Sequence, residues 1–242
     1  MVLLGTIVNA LAIIVGAVIG SFFSSVSSNL KRTVMQGIGL SVMILGISMG
    51  LKTENILVVI LSLVIGGIIG ELMKVEKRLD QLGELLEKTI GGKGNKKIVT
   101  GFVTATLVYT IGAMAILGAL DSGLRENHDI LYTKAMLDGF SSIIFSSTLG
   151  IGVAFSAIPV FLYQGLIAIS ATYIEKLISE ALLQQMITEI TSTGGILIVA
   201  IAINLLEIKK INVANLLPSM LIVAILVPLI SYLSGIFSGF FQ

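Results

Sequence analysis

Residues 3–23, LLGTIVNALAIIVGAVIGSFF, contain no charged side chain, and the uncharged run extends from Met1 to Leu30. About 20 consecutive apolar residues are enough for a helix to cross a bilayer. A cleavable signal peptide would begin with a positively charged region and would have a shorter apolar core. We therefore expect this stretch to remain in the protein as a first transmembrane helix.

The composition extends this expectation to the whole chain. The 242 residues are 55% hydrophobic and only 12% charged, whereas soluble domains carry about 25% charged residues. The mean hydropathy is +1.05. Because a chain of this size keeps a large surface after folding, the shortage of charge indicates that lipid covers most of it. The predicted fold class is all-α: a polytopic transmembrane helix bundle forming one integral membrane domain, residues 1–242.

Charged residues divide the chain into about eight windows of spanning length. The uncharged stretch 139–174 is too long for one helix, and Pro159 is expected to divide it because proline lacks a backbone donor. The seventh window is short and begins with polar residues, so whether it crosses fully stays open. The predicted spans are residues 3–23, the stretch between Arg32 and Lys52, and residues 55–73, 98–120, 133–155, 159–174, 190–206 and 216–237.

Basic residues indicate the orientation, because cytoplasmic loops of membrane proteins are enriched in Lys and Arg. With the N-terminus outside and eight alternating spans, the outer loops hold only Lys52, Arg125, Lys134 and Lys176. This distribution favours eight spans with both termini outside. The inner loops then hold Lys31, Arg32, Lys74, Lys77, Arg78, Lys88, Lys93, Lys96, Lys97, Lys209 and Lys210.

Two segments between the spans have an amphipathic pattern. Residues 74–97 carry leucines at helical spacing and end in a basic stretch, which predicts an interfacial helix on the cytoplasmic side. A short dimer-forming coil is the alternative. Residues 174–186 carry apolar side chains every four residues, and we expect this second helix to lie along the outer face.

Pairs of glycines four residues apart occur in several spans. Such pairs let helix backbones approach closely in lipid. Packing within the chain is the simpler interpretation, and a homodimer is the alternative. The pairs are Gly16/Gly20, Gly46/Gly50, Gly66/Gly70 and Gly235/Gly239.

Asp138 is the leading candidate for a functional residue, because ionisable groups within spans are costly and mark sites. Lys134 lies one turn earlier on the same helix face, and Ser141 follows. One interpretation is a local Lys134–Asp138 ion pair near the interface, with the lysine extending toward the headgroups. The other is a cation or proton site in a cavity, where Asp121 faces Asp138 as a second carboxylate. Glu71, at the inner end of the third span, is expected to mark the membrane boundary.

Five amide side chains also fall within or beside the spans. Each can bond a neighbouring helix or line a cavity, and both interpretations stand. The predicted substrate-binding set therefore consists of Asp138, Asp121, Lys134, Ser141, Asn9, Gln36, Gln164, Asn204 and Asn215.

Several classes of function are excluded or not expected. The sequence contains no HExxH, GxSxG or P-loop motif, and the absence of cysteine excludes disulfides and thiolate chemistry. The single histidine, His128, falls among charged residues of an outer loop and is expected to be solvated. We expect neither an enzyme nor a cofactor, and the identity of any bound metal stays unknown. The net charge of +1 gives no reason to expect nucleic acid.

An internal repeat is indicated between the two ends of the chain, residues 1–73 and 156–242, around a central pair of spans, 98–155. The two halves are offset by an odd number of crossings, so they would run in opposite senses. Inverted repeats of this kind characterise secondary transporters. The matched identities are Gly39 with Gly195, Ile47 with Ile203, Lys52 with Lys209, Asn55 with Asn212, and Ser62 with Ser219.

Several separated motifs together carry a family resemblance over essentially the whole chain. They are Gly5–Ala10 (GTIVNA), Gln36–Gly39, Gly46–Met49 (GISM), Ile69–Glu71 (IGE), Leu137–Phe140 (LDGF), Ser147–Val153 (STLGIGV), Ser156–Val160 (SAIPV), Tyr163–Gly165 (YQG) and Val213–Pro218 (VANLLP). The chain resembles the bacterial polytopic membrane proteins of the domain of unknown function 554 family, the YdfK/YqgA type. That resemblance implies an inner-membrane location and a transport role without an established substrate, and it supplies no site residues.

Two functions from different classes follow from these patterns. The first is a multi-pass transporter of an ion or small solute, with a cation as the first expectation. The second is a non-transporting scaffold or sensor that acts through the cytoplasmic amphipathic segment. The expected partners are the lipid bilayer and a small solute or ion, without nucleic acid, and a homodimer is left open.

Overall fold

The computed structural model describes residues 1–23, 28–79, 81 and 96–240, and these residues form helices and turns without a strand. The all-α class is therefore confirmed. Two 3₁₀ helices, Ile151–Ser156 and Val213–Leu216, precede the seventh and ninth α-helices. The α-helices are α1 (Leu4–Phe22), α2 (Ser28–Gly50), α3 (Ile56–Met73), α4 (Lys96–Thr110), α5 (Ala113–Arg125), α6 (Asp129–Leu149), α7 (Ala157–Leu177), α8 (Glu180–Leu205) and α9 (Ser219–Phe240).

Six helical segments in the described part of the chain are long and apolar enough to cross a membrane. The pair α4 and α5 makes a seventh if it is counted as one broken span. The α6 helix has a similar length, but too many polar residues to be counted with the others. The membrane helix bundle is thus present, and the number of eight spans stays a prediction. The six segments are Leu4–Phe22, Arg32–Gly50, Ile56–Met73, Ile151–Leu177, Glu180–Leu205 and Val213–Leu233.

The predicted span 98–120 was wrong as a continuous helix. Its α4 and α5 parts are bent by 62° relative to each other. Gly112, between them, has φ 136° and ψ 151°, a conformation that is essentially restricted to glycine. Glycine is frequent in transmembrane helices, so composition alone does not show which glycine leaves the helical conformation.

The boundary between the fifth and sixth predicted spans was also misplaced. The α6 helix ends at Leu149, and Gly150 follows with φ 85°. The 3₁₀ helix Ile151–Ser156 then leads into α7. Pro159 lies in the first turn of α7, where a missing N–H removes no helical hydrogen bond. The chain is therefore redirected by Gly150 and not by Pro159.

The second amphipathic segment does not lie along a surface as expected. The α8 helix begins after Ser179, whose hydroxyl oxygen accepts a hydrogen bond from the Leu182 N–H at 3.4 Å, and it continues to Leu205. Leu182 and Met186 pack against buried valines of α3 and α9. The apolar stripe of residues 174–186 is thus partly a packing face of a long spanning helix.

The chain folds into two compact units. The first comprises Met1–Ser41 with Lys77–Ile174, and the second comprises Val42–Glu76 with Glu175–Gln242. The first unit therefore contains α1, the start of α2 and α4 to α7. The second contains the rest of α2 together with α3, α8 and α9. These limits differ from those of the predicted repeat halves, which stay a prediction.

In the first unit, glycines bring α1 and α6 into close contact. A Cβ atom on Gly16 would collide with the carbonyl oxygen of Gly139, and one on Gly20 would collide with that of Ile143. Residue numbers rise together along the two helices, so they run parallel. The Gly16/Gly20 pair thus packs within the chain.

In the second unit, other glycines have the same role. Gly46 of α2 packs against Gly195 of α8. A Cβ atom on Gly66 would collide with Ser219, and one on Gly70 with the Asn215 carbonyl oxygen. The Gly46/Gly50 and Gly66/Gly70 pairs therefore also have intramolecular partners.

Candidate functional site

Four side chains from three helices form a hydrogen-bonded cluster in the first unit. Lys134 Nζ of α6 lies 3.0 Å from Asp138 Oδ1 and 2.9 Å from Oδ2. Asn9 Nδ2 of α1 donates to Asp138 Oδ2 at 3.1 Å and to Gln164 Oε1 of α7 at 3.3 Å. The structure thus joins four of the nine predicted site residues, and we call these four side chains the polar cluster.

The polar cluster is almost completely buried. Asn9 and Gln164 are 0% exposed, Asp138 is 5% exposed and Lys134 is 7% exposed. The predicted ion pair is therefore present, but the lysine does not extend to the surface. Buried charges are normally retained only when they are paired, and here one ammonium group balances one carboxylate.

Asp138 lies deeper along its helix than the sequence suggested. The predicted span began at residue 133, which placed Asp138 in its first turns. The α6 helix instead begins at Asp129 and ends at Leu149. At about 1.5 Å per residue, Asp138 is about 14 Å from the start of α6, and a hydrocarbon core is about 30 Å thick. Asp138 is therefore near the middle of its helix.

Sequence spacing explains how the polar cluster is assembled. Lys134 and Asp138 are four residues apart, so they lie on one face of α6. Asn9 lies on the same buried stripe of α1 as Gly16 and Gly20. Because those glycines let the α1 and α6 backbones approach, the short amide of Asn9 reaches the carboxylate.

Three polar atoms beside these contacts have no hydrogen-bond partner among the described residues. They are the Asn9 Oδ1 acceptor, the Gln164 Nε2 donor and the Thr6 hydroxyl. Thr6 is one turn from Asn9 on α1 and is 0% exposed. Buried polar groups are usually satisfied, so these three are available to a ligand. Thr6 was not among the predicted site residues, although its three-residue spacing from Asn9 in an apolar helix was a usable signal.

The break between α4 and α5 lies close to the polar cluster. The Tyr109 hydroxyl, at the end of α4, is 2.9 Å from the hydroxyl oxygen of Ser142. Ser142 is one turn beyond Asp138 on α6, and both members of this contact are buried. A groove of about 360 Å³ between α5 and α6 is lined by residues that include Met114, Ile130 and Thr133. It lies next to the turn that precedes Lys134.

Three other predicted site residues of the first unit do not join the polar cluster. Asp121 pairs with Arg125 at 3.2 Å, so the expected pairing of two carboxylates is not the contact that either Asp121 or Asp138 makes. Gln36 is exposed on α2. Ser141 is bonded to a residue of the polar cluster only through that residue's backbone. Its hydroxyl donates to the carbonyl oxygens of Leu137 at 2.7 Å and Asp138 at 3.1 Å.

The remaining predicted amides stabilise turns of the second unit. Asn204 accepts from the Ile211 N–H at 2.7 Å and donates to the Ile211 carbonyl at 2.8 Å. Asn215 Nδ2 donates to Glu71 Oε2 at 2.6 Å, and Asn215 Oδ1 accepts from the Glu76 N–H at 2.8 Å. Glu71 is therefore part of a polar contact between the end of α3 and the start of the 3₁₀ helix before α9.

A buried glutamate in α8 was not predicted from the sequence. Glu189 is 3% exposed, and its carboxylate accepts three hydrogen bonds from the turn between α2 and α3. The donors are the Thr53 hydroxyl at 2.6 Å and the backbone N–H groups of Glu54 at 2.8 Å and Asn55 at 2.9 Å. These three donors satisfy the charged carboxylate of Glu189. The side chain therefore holds the turn between α2 and α3 in place.

His128 is not solvated as expected. It is 9% exposed, and its Nδ1 is 2.8 Å from the Ser122 hydroxyl oxygen. That hydroxyl donates to the Val2 carbonyl at 2.7 Å, so Nδ1 of His128 must be the donor to Ser122. Within the described residues, no group of three or more His, Cys, Asp or Glu side chains is arranged to hold a metal ion.

Comparison with known proteins establishes the family. The chain belongs to the family described as protein of unknown function DUF554, whose model matches residues 4–228. It is 36% identical over 225 residues to "Uncharacterized membrane protein YdfK" of Bacillus subtilis (strain 168), covering 90% of this chain and 93% of that protein. It is 27% identical over 224 residues to "Uncharacterized protein YqgA" of Escherichia coli (strain K12), covering 90% and 94%. No solved structure matches the chain.

Proposed function

We propose that this member of the DUF554 family is a multi-pass transporter of an ion or small solute, and that the polar cluster binds the solute. Asn9, Lys134, Asp138 and Gln164 form the site, and a cation is the first expectation. We further propose that it works in the bacterial cytoplasmic membrane with both termini outside, by binding and release without catalysis.

The observation that carries this proposal is the burial of an ion pair and two amides among three helices, with Asp138 near the middle of α6. Ionisable residues at membrane depth are rare and mark solute pathways and proton relays. A helix contact that served packing alone would not need Lys134 and Asp138, since α1 and α6 already interlock through Gly16 and Gly20. Unpartnered groups on Asn9, Gln164 and Thr6 add hydrogen-bonding capacity that the fold does not use.

The broken helix beside the polar cluster supports the same function. Transporter sites are typically formed by discontinuous helices, because irregular backbone is tolerated in membranes where it lines a cavity. The α4–α5 span is interrupted at Gly112, and Tyr109 at this interruption contacts α6 one turn from Asp138.

Features of the second unit support the proposed inverted repeat. The turn between α2 and α3 binds Glu189 near the start of α8, whereas the residues that follow α8 bind Glu71 and Glu76 at the end of α3. The two helical hairpins, α2–α3 and α8–α9, therefore point in opposite directions.

The buried positions of α3 and α9 agree with the same repeat. From Ser62 of α3 and Ser219 of α9 onward they recur every four residues, and the register that matches these two serines superimposes them. The matched pairs are Ser62 with Ser219, Gly66 with Val223, and Gly70 with Val227. Inverted repeats are the usual architecture of secondary transporters.

The scaffold alternative depends on the amphipathic segment 74–97. Of this segment, the described residues are 74–79 and 81, and residues 75–79 are helical. The remainder lies outside the described residues. The contacts of this segment therefore do not help to choose between a scaffold and a transporter.

Solute-dependent thermal stability of the purified protein tests the proposal. Monovalent and divalent cations, anions and small metabolites are screened against wild type, Asp138→Asn and the matched control Asp121→Asn. A solute at 100 times its Kd adds about 2.7 kcal/mol of stability. We expect at least one solute to stabilise wild type and Asp121→Asn but not Asp138→Asn. Equal stabilisation of all three proteins, or of none by any solute, would overturn the proposal.

A further inference from the structure

We propose, building on the transport function above, that the solute is a monovalent cation and that the ammonium group of Lys134 is a tethered competitor for its site. Lys134 Nζ contacts both carboxylate oxygens of Asp138, at 3.0 and 2.9 Å. In this structure, the position beside the carboxylate that a cation would take is held by the protein's own positive charge.

The polar cluster and Thr6 offer oxygen atoms of the kind that binds a small hard cation. Asp138 supplies two carboxylate oxygens, Asn9 an unpartnered amide oxygen and Thr6 an unpartnered hydroxyl oxygen. Such oxygen ligands bind alkali and alkaline-earth cations, whereas softer metals prefer nitrogen or sulfur. Neither Asn9 Oδ1 nor Thr6 Oγ1 is hydrogen-bonded to the Lys134 ammonium group in this structure, so the two Asp138 oxygens are the first ligands of the cation and the other two must move toward it once the lysine leaves.

The charge of the cluster favours a monovalent over a divalent cation. Asp138 is the one carboxylate of the polar cluster, and Asp121 is paired with Arg125 instead. A monovalent cation that replaces the Lys134 ammonium group keeps the site neutral when the displaced lysine releases its proton to solvent, so that one cation enters for each proton that leaves. A divalent cation would leave one uncompensated positive charge at membrane depth, which is costly.

Competition between the lysine and the cation has a mechanistic consequence. Without the cation, Lys134 keeps Asp138 from being a buried unpaired charge. Binding of the cation must release Lys134 from the carboxylate. Ile130, one turn before Lys134 on α6, and Thr133 line the groove between α5 and α6. Occupancy of the site is thereby linked to a movement of a side chain on α6.

Substitutions at the two partners should change cation affinity in opposite directions. Asp138→Asn removes the ligand and should abolish cation binding. Lys134→Gln removes the competitor, and if Lys134 holds the carboxylate at least about 90% of the time, apparent affinity should rise roughly tenfold or more. Lys176→Gln removes an exposed ammonium group of α7 and serves as the matched control, with affinity expected to stay close to that of wild type.

The experiment is a titration of thermal stability with LiCl, NaCl and KCl, and with MgCl2 and CaCl2, at constant ionic strength set by choline chloride. The supporting result is stabilisation by one monovalent cation that is stronger in Lys134→Gln, unchanged in Lys176→Gln and lost in Asp138→Asn. If Lys134→Gln folds only when that cation is present during purification, this dependence also supports the proposal, provided that choline does not replace it.

Three outcomes would overturn this inference. They are monovalent-cation binding by Lys134→Gln that is no stronger than by wild type, stronger stabilisation by Mg²⁺ or Ca²⁺ than by any monovalent cation, and no response to monovalent cations. If another solute then stabilises wild type but not Asp138→Asn, the transport function stands and only the cation assignment fails. If no solute of any class does so, both fail.

Discussion

The Asn9 amide nitrogen of α1 donates a hydrogen bond to Asp138 Oδ2 of α6 at 3.1 Å, across a separation of 129 residues in the chain. Both residues are buried. This contact is short because Gly16 and Gly20 remove the side chains that would hold α1 and α6 apart. Glycine packing and the polar cluster are therefore two aspects of one helix contact.

Asn9→Ala should destabilise the protein by about 1–3 kcal/mol, since a buried carboxylate oxygen loses its donor and Gln164 loses its partner. Solute binding should weaken as well. Chemical denaturation in detergent measures the stability change. Gln36→Ala, which truncates an exposed amide in α2, is the control and should stay within about 0.5 kcal/mol of wild type. Similar losses in both variants would contradict the role given to Asn9.

Gly16→Ala should be destabilising by about 1–3 kcal/mol, because the added methyl group collides with the Gly139 backbone and overpacks the contact. Gly37→Ala provides a matched control, since a Cβ atom there meets nothing within 4 Å. Alanine is the better helix former by up to about 1 kcal/mol, so Gly37→Ala should be neutral or stabilising. Thermal unfolding of the two variants side by side separates close packing from helix propensity.

Gly112→Ala should cost about 1–3 kcal/mol, because φ 136° with ψ 151° is a conformation that alanine rarely adopts. If the broken span serves transport, flux should fall by more than the loss of folded protein explains. Flux per folded molecule is the quantity to compare. A variant that keeps wild-type stability would show that the break does not require glycine.

Glu189→Gln should destabilise the second unit by about 1.5–3 kcal/mol, since bonds to a charged acceptor are lost and the amide cannot accept through both of its atoms. The three donors of the α2–α3 turn would compete for one oxygen. Glu175→Gln removes the charge of an exposed glutamate in α7 and is the control. Equal unfolding midpoints for the two variants would exclude a stabilising role for Glu189.

The fold class could be predicted from the sequence because the hydropathy of a helix indicates whether lipid or water surrounds it. The apolar windows identified most helices, and the glycine spacing identified the close contacts of Gly16, Gly46 and Gly66. Helix breaks were harder to predict, because the residues around Gly112 and Gly150 resemble in composition those around glycines inside helices. Pro159 was the stronger local signal, but in the first turn of a helix proline is well tolerated.

The polar cluster was predicted in part for a similar reason. The Lys134–Asp138 pair follows from helical spacing alone. Partners such as Asn9 and Gln164 depend on which helices meet, and a single sequence does not contain that information. The same limit explains why Glu189 was missed, since its donors are backbone groups of a distant turn that leave no side-chain signal.

Flux through the reconstituted protein tests the central claim most directly. Uptake of the solute that stabilises wild type is measured in proteoliposomes containing wild type, Asp138→Asn or Asp121→Asn, with equal amounts of folded protein. If the polar cluster is the binding site, wild type and Asp121→Asn should take up the solute, and Asp138→Asn should show no uptake above background. Wild-type flux through folded Asp138→Asn would contradict the claim.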